Sequence, residues 1–188
     1  MSAVEIPDAD LLRSYAGGDD EAFAELVRRH KDRLWGVALR TMRSPEEASD
    51  ALQEALISAS RRARQYRGDA AVLTWLHRIV INACLDRLRR NKVRATVPMP
   101  DDPDRVLALD GEDDPEQQAA LMEMRRDVIA ALRQLNADQR AALVLVDMEG
   151  YSVDEASQML GCAPGTIKSR CARGRARLAP LLAHVSLP

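Results

Sequence analysis

Apolar residues recur along the chain at the three- and four-residue spacings of helices. Leu11, Leu12 and Tyr15 form a short first stretch that Asp8 can cap and Gly17-Gly18 can end. Asp19 or Asp20 opens a second helix, with Phe23, Leu26, Val27, Leu34, Val37, Ala38 and Leu39 as its stripe. Ser44-Pro45-Glu46-Glu47 has the form of a capping box with proline at the first helical position. It predicts a third helix reaching about Tyr66 and stopping at Gly68. Asp69 is expected to cap a long fourth helix carrying Leu73, Leu76, Val80, Ala83 and Leu88.

Over residues 95–114 the periodicity vanishes, and Pro98, Pro100, Pro103 and Gly111 interrupt the chain. This stretch has no apolar face to bury and reads as a linker. Asp114-Pro115-Glu116-Gln117 restarts helix, with Leu121, Met124, Val128, Leu132 and Leu135 on one face. A further helix is expected from Ala137 to Glu149, ending at Gly150. Ser152-Val153-Asp154-Glu155 is another capping box, followed by a short helix to Leu160. Gly161-Cys162-Ala163 forms a turn, and Pro164 opens a helix to about Leu178. Helix, tight glycine turn and basic helix make a helix-turn-helix pattern. In it, small Ala156 lets the helices approach, and Ile167 and Leu178 face inward. The fold class is therefore all-α. Two small helical domains, residues 1–94 and 115–188, are joined by a linker over 95–114.

Composition agrees with this reading. Alanine (29) and leucine (23) dominate the 188 residues, while Phe, Tyr and Trp total six. That argues against a sandwich, a barrel or a sheet-centred enzyme. No apolar run approaches a membrane span, so no membrane insertion is expected. MSAVEIPDAD carries no basic stretch followed by an apolar core, so no secretory signal is expected. Cys84, Cys162 and Cys171 are odd in number and far apart, which points to neither a disulfide framework nor a zinc ribbon. A reducing, cytoplasmic setting follows.

Charge adds a feature the periodicity does not show. The net charge is −2, but residues 1–94 carry +3, residues 95–118 carry −7 and residues 119–188 carry +2. Residues 61–94 hold ten Arg/Lys against Asp69 and Asp86. After Glu155 there is no acid, while Lys168, Arg170, Arg173, Arg175 and Arg177 follow. Two local cationic surfaces on a near-neutral chain point to nucleic acid. Lys168, Ser169, Arg170 and Arg173 sit near the start of the second helix of the helix-turn-helix, where base edges and phosphates are met. Arg175 and Arg177 lie further along, toward phosphates.

Taken together these motifs resemble a bacterial extracytoplasmic-function sigma factor, a group 4 member of the sigma-70 family. DALQEALISASRR (50–62) resembles region 2.2, YRGDAAVLTWLHRIVINACLDRLRR (66–90) regions 2.3 and 2.4, and residues 135–178 region 4.2. Within the family, the chain looks closest to an actinobacterial sigma-M-type subgroup. The resemblance implies a sigma region 2 helical bundle over 1–94 and a sigma region 4 helix-turn-helix over 115–188. It implies an alternative sigma factor that binds core RNA polymerase, through its β′ clamp and β subunits, and promoter DNA, with a cognate anti-sigma factor as regulator. Asp50, Leu52, Gln53, Glu54 and Leu56 would bind the β′ clamp, where leucines ringed by carboxylate and amide groups suit an arginine-rich helix. Leu56 and Ser60 depart from the aromatics of many members.

By the same resemblance, Tyr66, His77 and Asn82 would line a pocket for a −10 base taken out of the stack, with Arg62 and Arg78 on nearby phosphates. Asn82 and Asp86, four residues apart, share a helical face. Lys168, Ser169, Arg170 and Arg173 map onto the helix that reads the −35 element, while Val146 stands where many members carry a basic residue. Trp75 reads as core or as a support for the loop before it. The two promoter elements lie about 60 Å apart, roughly seventeen base pairs at 3.4 Å each. A twenty-residue linker reaches at most about 66–72 Å, so it must stretch when both are bound. Its acids Asp101, Asp102, Asp104, Asp110, Glu112, Asp113 and Asp114 suit a channel built for RNA, or a tether that resists collapse.

Two rival readings make different demands. A free-standing operator-binding regulator needs a dimerisation helix or effector pocket, and no long heptad is visible. An enzyme needs a P-loop, a metal-ligand cluster or a Ser/His/Asp arrangement, none of which is recognisable. No catalysis, cofactor or metal site is therefore expected. His77 has no partner at ligand spacing, and Cys162, Cys171 and His184 match no standard metal pattern.

Overall fold

A computed structural model describes residues 6–94 and 115–185. Every regular element among them is helical: α1 (Asp8–Ala16), α2 (Asp20–Thr41), α3 (Pro45–Arg62), α4 (Val72–Arg94), α5 (Pro115–Arg133), α6 (Ala137–Leu143), α7 (Val153–Leu160) and α8 (Pro164–Leu178). The acidic linker, and with it the expected cap at Asp114, lies outside the described residues.

Most helix starts follow their capping chemistry. The side chains of Asp19, Ser44, Asn136 and Ser152 accept from backbone amides of the first turns of α2, α3, α6 and α7, at 2.9–3.2 Å. At α7 the capping box is complete, because Glu155 accepts from the Ser152 amide at 2.8 Å. At α3 only half of it forms. The Glu47 carboxylate turns instead to Asn91 of α4, whose amide donates at 2.7 Å. Two expected caps are displaced. Pro7 occupies the cap of α1, and Asp8 reaches across to Arg29 (3.3 Å) and His30 (2.6 Å) of α2. Asp69 precedes the start of α4 by three residues, after Gly68 turns the chain at φ 81°.

The helix expected over 137–149 is also divided. A π-helical turn occupies Val144–Met148, keeping Val144 and Leu145 buried while Gly150, at φ 75°, turns the chain. The wider turn redirects Glu149 and Tyr151 toward the first half.

In the first half, α3 is lined by alanine. Ala48, Ala51, Ala55 and Ala59 are all buried, as is Ala63 just past its end, and let α2 and α4 pack close. Leu26, Leu34, Val37 and Met42 meet Leu76, Val80, Ile81 and Cys84 across this layer. In the second half, Leu143, Leu145, Ala156, Met159, Ile167 and Cys171 form the corresponding core. Ala156 and Ile167 are buried as expected, and Leu178 is half-buried. Gly174 of α8 lies directly against Leu143. A β-carbon there would stand 2.6 Å from the leucine Cδ1.

The two halves share one continuous core, with α4 packed on α6 and α7, and α2 on α5 and α6. Polar contacts mark the seam. Arg40 pairs with Glu149, the Tyr151 hydroxyl bonds His77 Nδ1 at 2.8 Å, and the Asn82 amide donates to the Met159 carbonyl at 3.0 Å. Arg140, also at the seam, is buried with Nε and Nη1 unpaired, and burial pushes its pKa down to about 10.

His77 is 2% exposed. Burial, reinforced by Arg33, Arg40 and His30, pushes its imidazole down to about 4 and keeps it neutral, although Glu149 stands 4.0 Å away.

Two expectations follow for stability. Between pH 6.5 and 4 the unfolded chain protonates this histidine while the folded chain does not, so acidification through that window lowers stability, by up to about 3 kcal/mol. Urea unfolding across that range should show the loss, and His77→Gln should flatten it. Gly174→Leu should cost about 1–3 kcal/mol by overpacking against Leu143, measured by thermal unfolding, whereas Gly165→Ala, which meets nothing within 4 Å, should leave α8 in place.

Candidate nucleic-acid interface

The α3 face expected to meet polymerase presents Asp50 and Gln53 outward, with Leu52, Glu54 and Leu56 half-buried beside them. Its acids are already partnered within the chain. Arg87 of α4 donates to both Asp50 and Glu54, and Arg90 donates to Glu54 at 2.6 Å. The Arg90 hydrogen bond, chiefly, holds the Glu54 carboxyl below its ordinary range. The same helix exposes Ile57, an apolar residue that the sequence reading did not single out. A partner helix would thus meet a face of leucine and isoleucine edged by carboxylates whose charge α4 already compensates.

Behind this face, α3 and α4 enclose a groove of about 900 Å³. It brings together Arg62, Arg78, Asn82 and Asp86, four of the six residues expected at the −10 element. Arg89 and Arg90 add cationic groups, and Arg89 pairs with Asp86 at 2.9 Å. Trp75 lines the groove as well, half-exposed, with Tyr66 edge-on at 5.5 Å. Tyr66 itself sits beside the groove, with its hydroxyl donating to the Ala70 carbonyl. A stacking face, edge-reading amide and carboxylate groups, and arginines for phosphates therefore occur in one concavity. The aromatic wall is Trp75, backed by Tyr66. In the sequence Trp75 is legible only as packing, because its partners in the groove come from α3 and from the loop at Tyr66.

His77 does not join this constellation. One residue from Arg78, it points about 100° away around α4 and is buried at the seam against Tyr151. The sequence gives no sign of this, because Tyr151, which bonds the ring, lies 74 positions away. Asn82 borders both environments. Its amide donates to the Arg78 carbonyl within α4 and to Met159 across the seam.

In the second half, Gly161 closes α7 at φ 62° and lets α8 depart at the angle a helix-turn-helix requires. Lys168 and Arg173 are exposed on α8. Ser169 is half-buried, donating to the Thr166 carbonyl at 3.0 Å and accepting from Arg173. Arg170 is turned inward. It donates to Asp138 of α6 at 2.8 Å and touches Cys162 Sγ at 3.4 Å. Arg175 pairs with Asp147 through two hydrogen bonds, which raises its pKa further. The outer face of α8 therefore presents Lys168 and Arg173, while Arg170 and Arg175 brace the helix against α6 and the π-helical turn.

The three cysteines are free thiols, and burial pushes Cys84 up to about 12. His184 lies against Asp127 rather than near a cysteine. Among the described residues, no group of three or more His, Cys, Asp or Glu could hold a metal ion, and no helix is long and apolar enough to cross a membrane.

Comparison with known proteins matches both ends of this arrangement. Sigma-70 region 2 matches residues 26–94, and Sigma-70, region 4 matches residues 125–178. The chain is 49% identical over 182 residues to the ECF RNA polymerase sigma factor SigM of Mycobacterium tuberculosis, covering 97% of this chain and 88% of the relative. The sigma factor RpoE, solved with the anti-sigma factor NepR from Bartonella quintana, superposes with a TM-score of 0.68 at 27% identity, over 87% of this chain and 98% of that one. CnrH, solved with the cytosolic domain of CnrY, superposes with a TM-score of 0.65 at 27% identity, over 95% and 99% of the two chains. An arginine-lined groove on region 2 followed by a basic helix-turn-helix on region 4, with close to half the residues shared with SigM along nearly the whole length, places this chain among the extracytoplasmic-function sigma factors, in the SigM-type subgroup.

Proposed function

We propose that this chain binds core RNA polymerase and directs promoter-specific initiation as an alternative sigma factor, in the cytoplasm and without catalysis of its own. The order of the two matches carries the reading: the region containing the α3–α4 groove comes first, the region containing α7 and α8 second. On this reading residues 1–94 hold polymerase and melt the −10 element, 95–114 is the tether, and 115–188 reads the −35 element. The β′ clamp would dock on Leu52, Leu56 and Gln53, with Asp50 and Glu54 exchanging α4 arginines for polymerase arginines. In the groove, a displaced base would stack on Trp75 and Tyr66 while Asn82 and Asp86 read its edge and Arg62 and Arg78 hold phosphates.

On α8, Lys168 and Arg173 would reach base edges and phosphates, Ser169 would orient Arg173, and Arg170 would keep the helix at its angle. The complex of RpoE with the anti-sigma factor NepR supports regulation of this chain by an anti-sigma factor that covers one of these faces.

Core polymerase supplied with this chain should transcribe a limited set of genomic promoter fragments in a reconstituted run-off assay. A chain that neither attaches to core enzyme nor changes its start sites overturns the proposal. Lys168→Ala or Arg173→Ala should weaken use of the −35 element by about 1–3 kcal/mol where a base contact is lost, read as promoter titration midpoints. Asn82→Ala should change −10 preference and leave core capture intact. Loss of core binding instead would reassign that residue.

A further inference from the structure

We propose that a cavity between α5 and the junction of α2 with α3 binds a small phosphate-bearing anion. The cavity has a volume of about 140 Å³. Leu39 near the end of α2 and Pro45 at the start of α3 form one wall, and Arg126, Ile129 and Arg133 of α5 form the other. The α5 residues are three and four positions apart, so they share one face of that helix. The volume is well below the roughly 300–1,000 Å³ of pockets that hold drug-sized ligands, so the site suits a small ion. None of its lining residues belongs to the α3–α4 groove.

Positive charge around the cavity is left uncompensated. Arg87, Arg90, Arg170 and Arg175 elsewhere in the chain each hold a carboxylate. Arg126 and Arg133 in the cavity wall, and Arg43 and Arg140 nearby, form no ion pair with a described residue. Arg133 Nε is buried without a hydrogen-bond partner, as are Nε and Nη1 of Arg140, whose side chain is 1% exposed. Arg43 and Arg133 stand close enough to Arg140 to help depress its pKa. The acids in reach are engaged elsewhere. Asp127, in the cavity wall, lies against His184 at 3.2 Å, and Glu47 accepts from Asn91 at 2.7 Å.

These groups decide the class of ligand. Four guanidiniums against the carboxylates of Asp127 and Glu47 leave a surplus of two positive charges. A phosphate group carries about −1.5 to −2 at neutral pH and offers several acceptor oxygens to planar guanidinium forks. It matches that surplus, whereas a single carboxylate leaves half of it standing. Buried N–H groups without acceptors cost free energy, and an anion seated between α5 and Pro45 removes that cost at Arg133.

The test uses the full chain, free in solution and labelled with nitrogen-15. Inorganic phosphate, titrated at constant ionic strength, should shift the Arg133 Nε–H resonance saturably with one ion per chain. Acetate at the same ionic strength should leave that resonance in place. Arg126→Gln and Arg133→Gln should each weaken phosphate binding by about tenfold or more. Asp127→Asn should tighten it, a gain that damage to the fold does not produce. Lack of saturation, an equal response to acetate, or unchanged affinity in both arginine variants overturns the site. So does a short DNA duplex that shifts the Arg133 resonance where inorganic phosphate does not, since the arginines then serve a nucleic-acid backbone. Should Arg133→Gln not fold, Arg126→Gln carries the comparison, because Arg126 is exposed. Neither core enzyme nor a promoter enters the measurement, so failure of the sigma-factor reading and failure of this site are scored separately.

Discussion

Helix α4 is the element on which both halves depend. Between Leu76 and Leu85 it buries Leu76, His77, Ile79, Val80, Ile81, Cys84 and Leu85, residues that point in nearly every direction around the axis. A helix covered on most sides must pack against several neighbours at once. Here α2 and α3 take one side, and α6 and α7 take another. The strip left open is narrow, and it is the strip that carries Arg78, Asp86, Arg89 and part of Asn82. The proposed DNA-reading surface and the packing of the second half on α4 thus follow from one constraint, a single helix with more apolar surface than one half of the chain can cover.

That constraint also explains the distribution of charge. The arginines of the last turns of α4 are balanced locally, Arg87 and Arg90 by Asp50 and Glu54, Arg89 by Asp86. Such pairs at the surface contribute little to stability individually. They keep a cationic groove from repelling itself in the free chain while leaving each guanidinium able to exchange a carboxylate for a phosphate. The same arrangement recurs on the second half, where Asp138 and Asp147 hold Arg170 and Arg175.

Much of this architecture is legible in the sequence, for physical reasons. Caps are local, so Asp19, Ser44, Ser152 and the Gly161 turn announce the helix ends correctly. Where a capping side chain finds a better partner in space, the local rule fails. Asp8 prefers Arg29 and His30 of α2, and Glu47 prefers Asn91 of α4. Periodicity picks out Leu76 and Val80 but passes over Ile79 and Ile81, because it looks for one face and α4 has several. The groove residues Arg62, Arg78, Asn82 and Asp86 line one concavity. His77 and Arg170 carry the right residue types at the right spacing, yet contacts from distant helices decide where they point, and the π-helical turn has no sequence mark that periodicity detects.

The bond between Asn91 and Glu47 ties the last turns of α4 to the first turn of α3. Those two points are far apart along the chain but adjacent in space, close to where the first half hands over to the rest of the polypeptide. A pull exerted from beyond Arg94 therefore meets this cross-link to α3 before it reaches the part of α4 that lines the groove. Mechanical tension between two gripped sites would be borne by the same pair of helices that frames the groove.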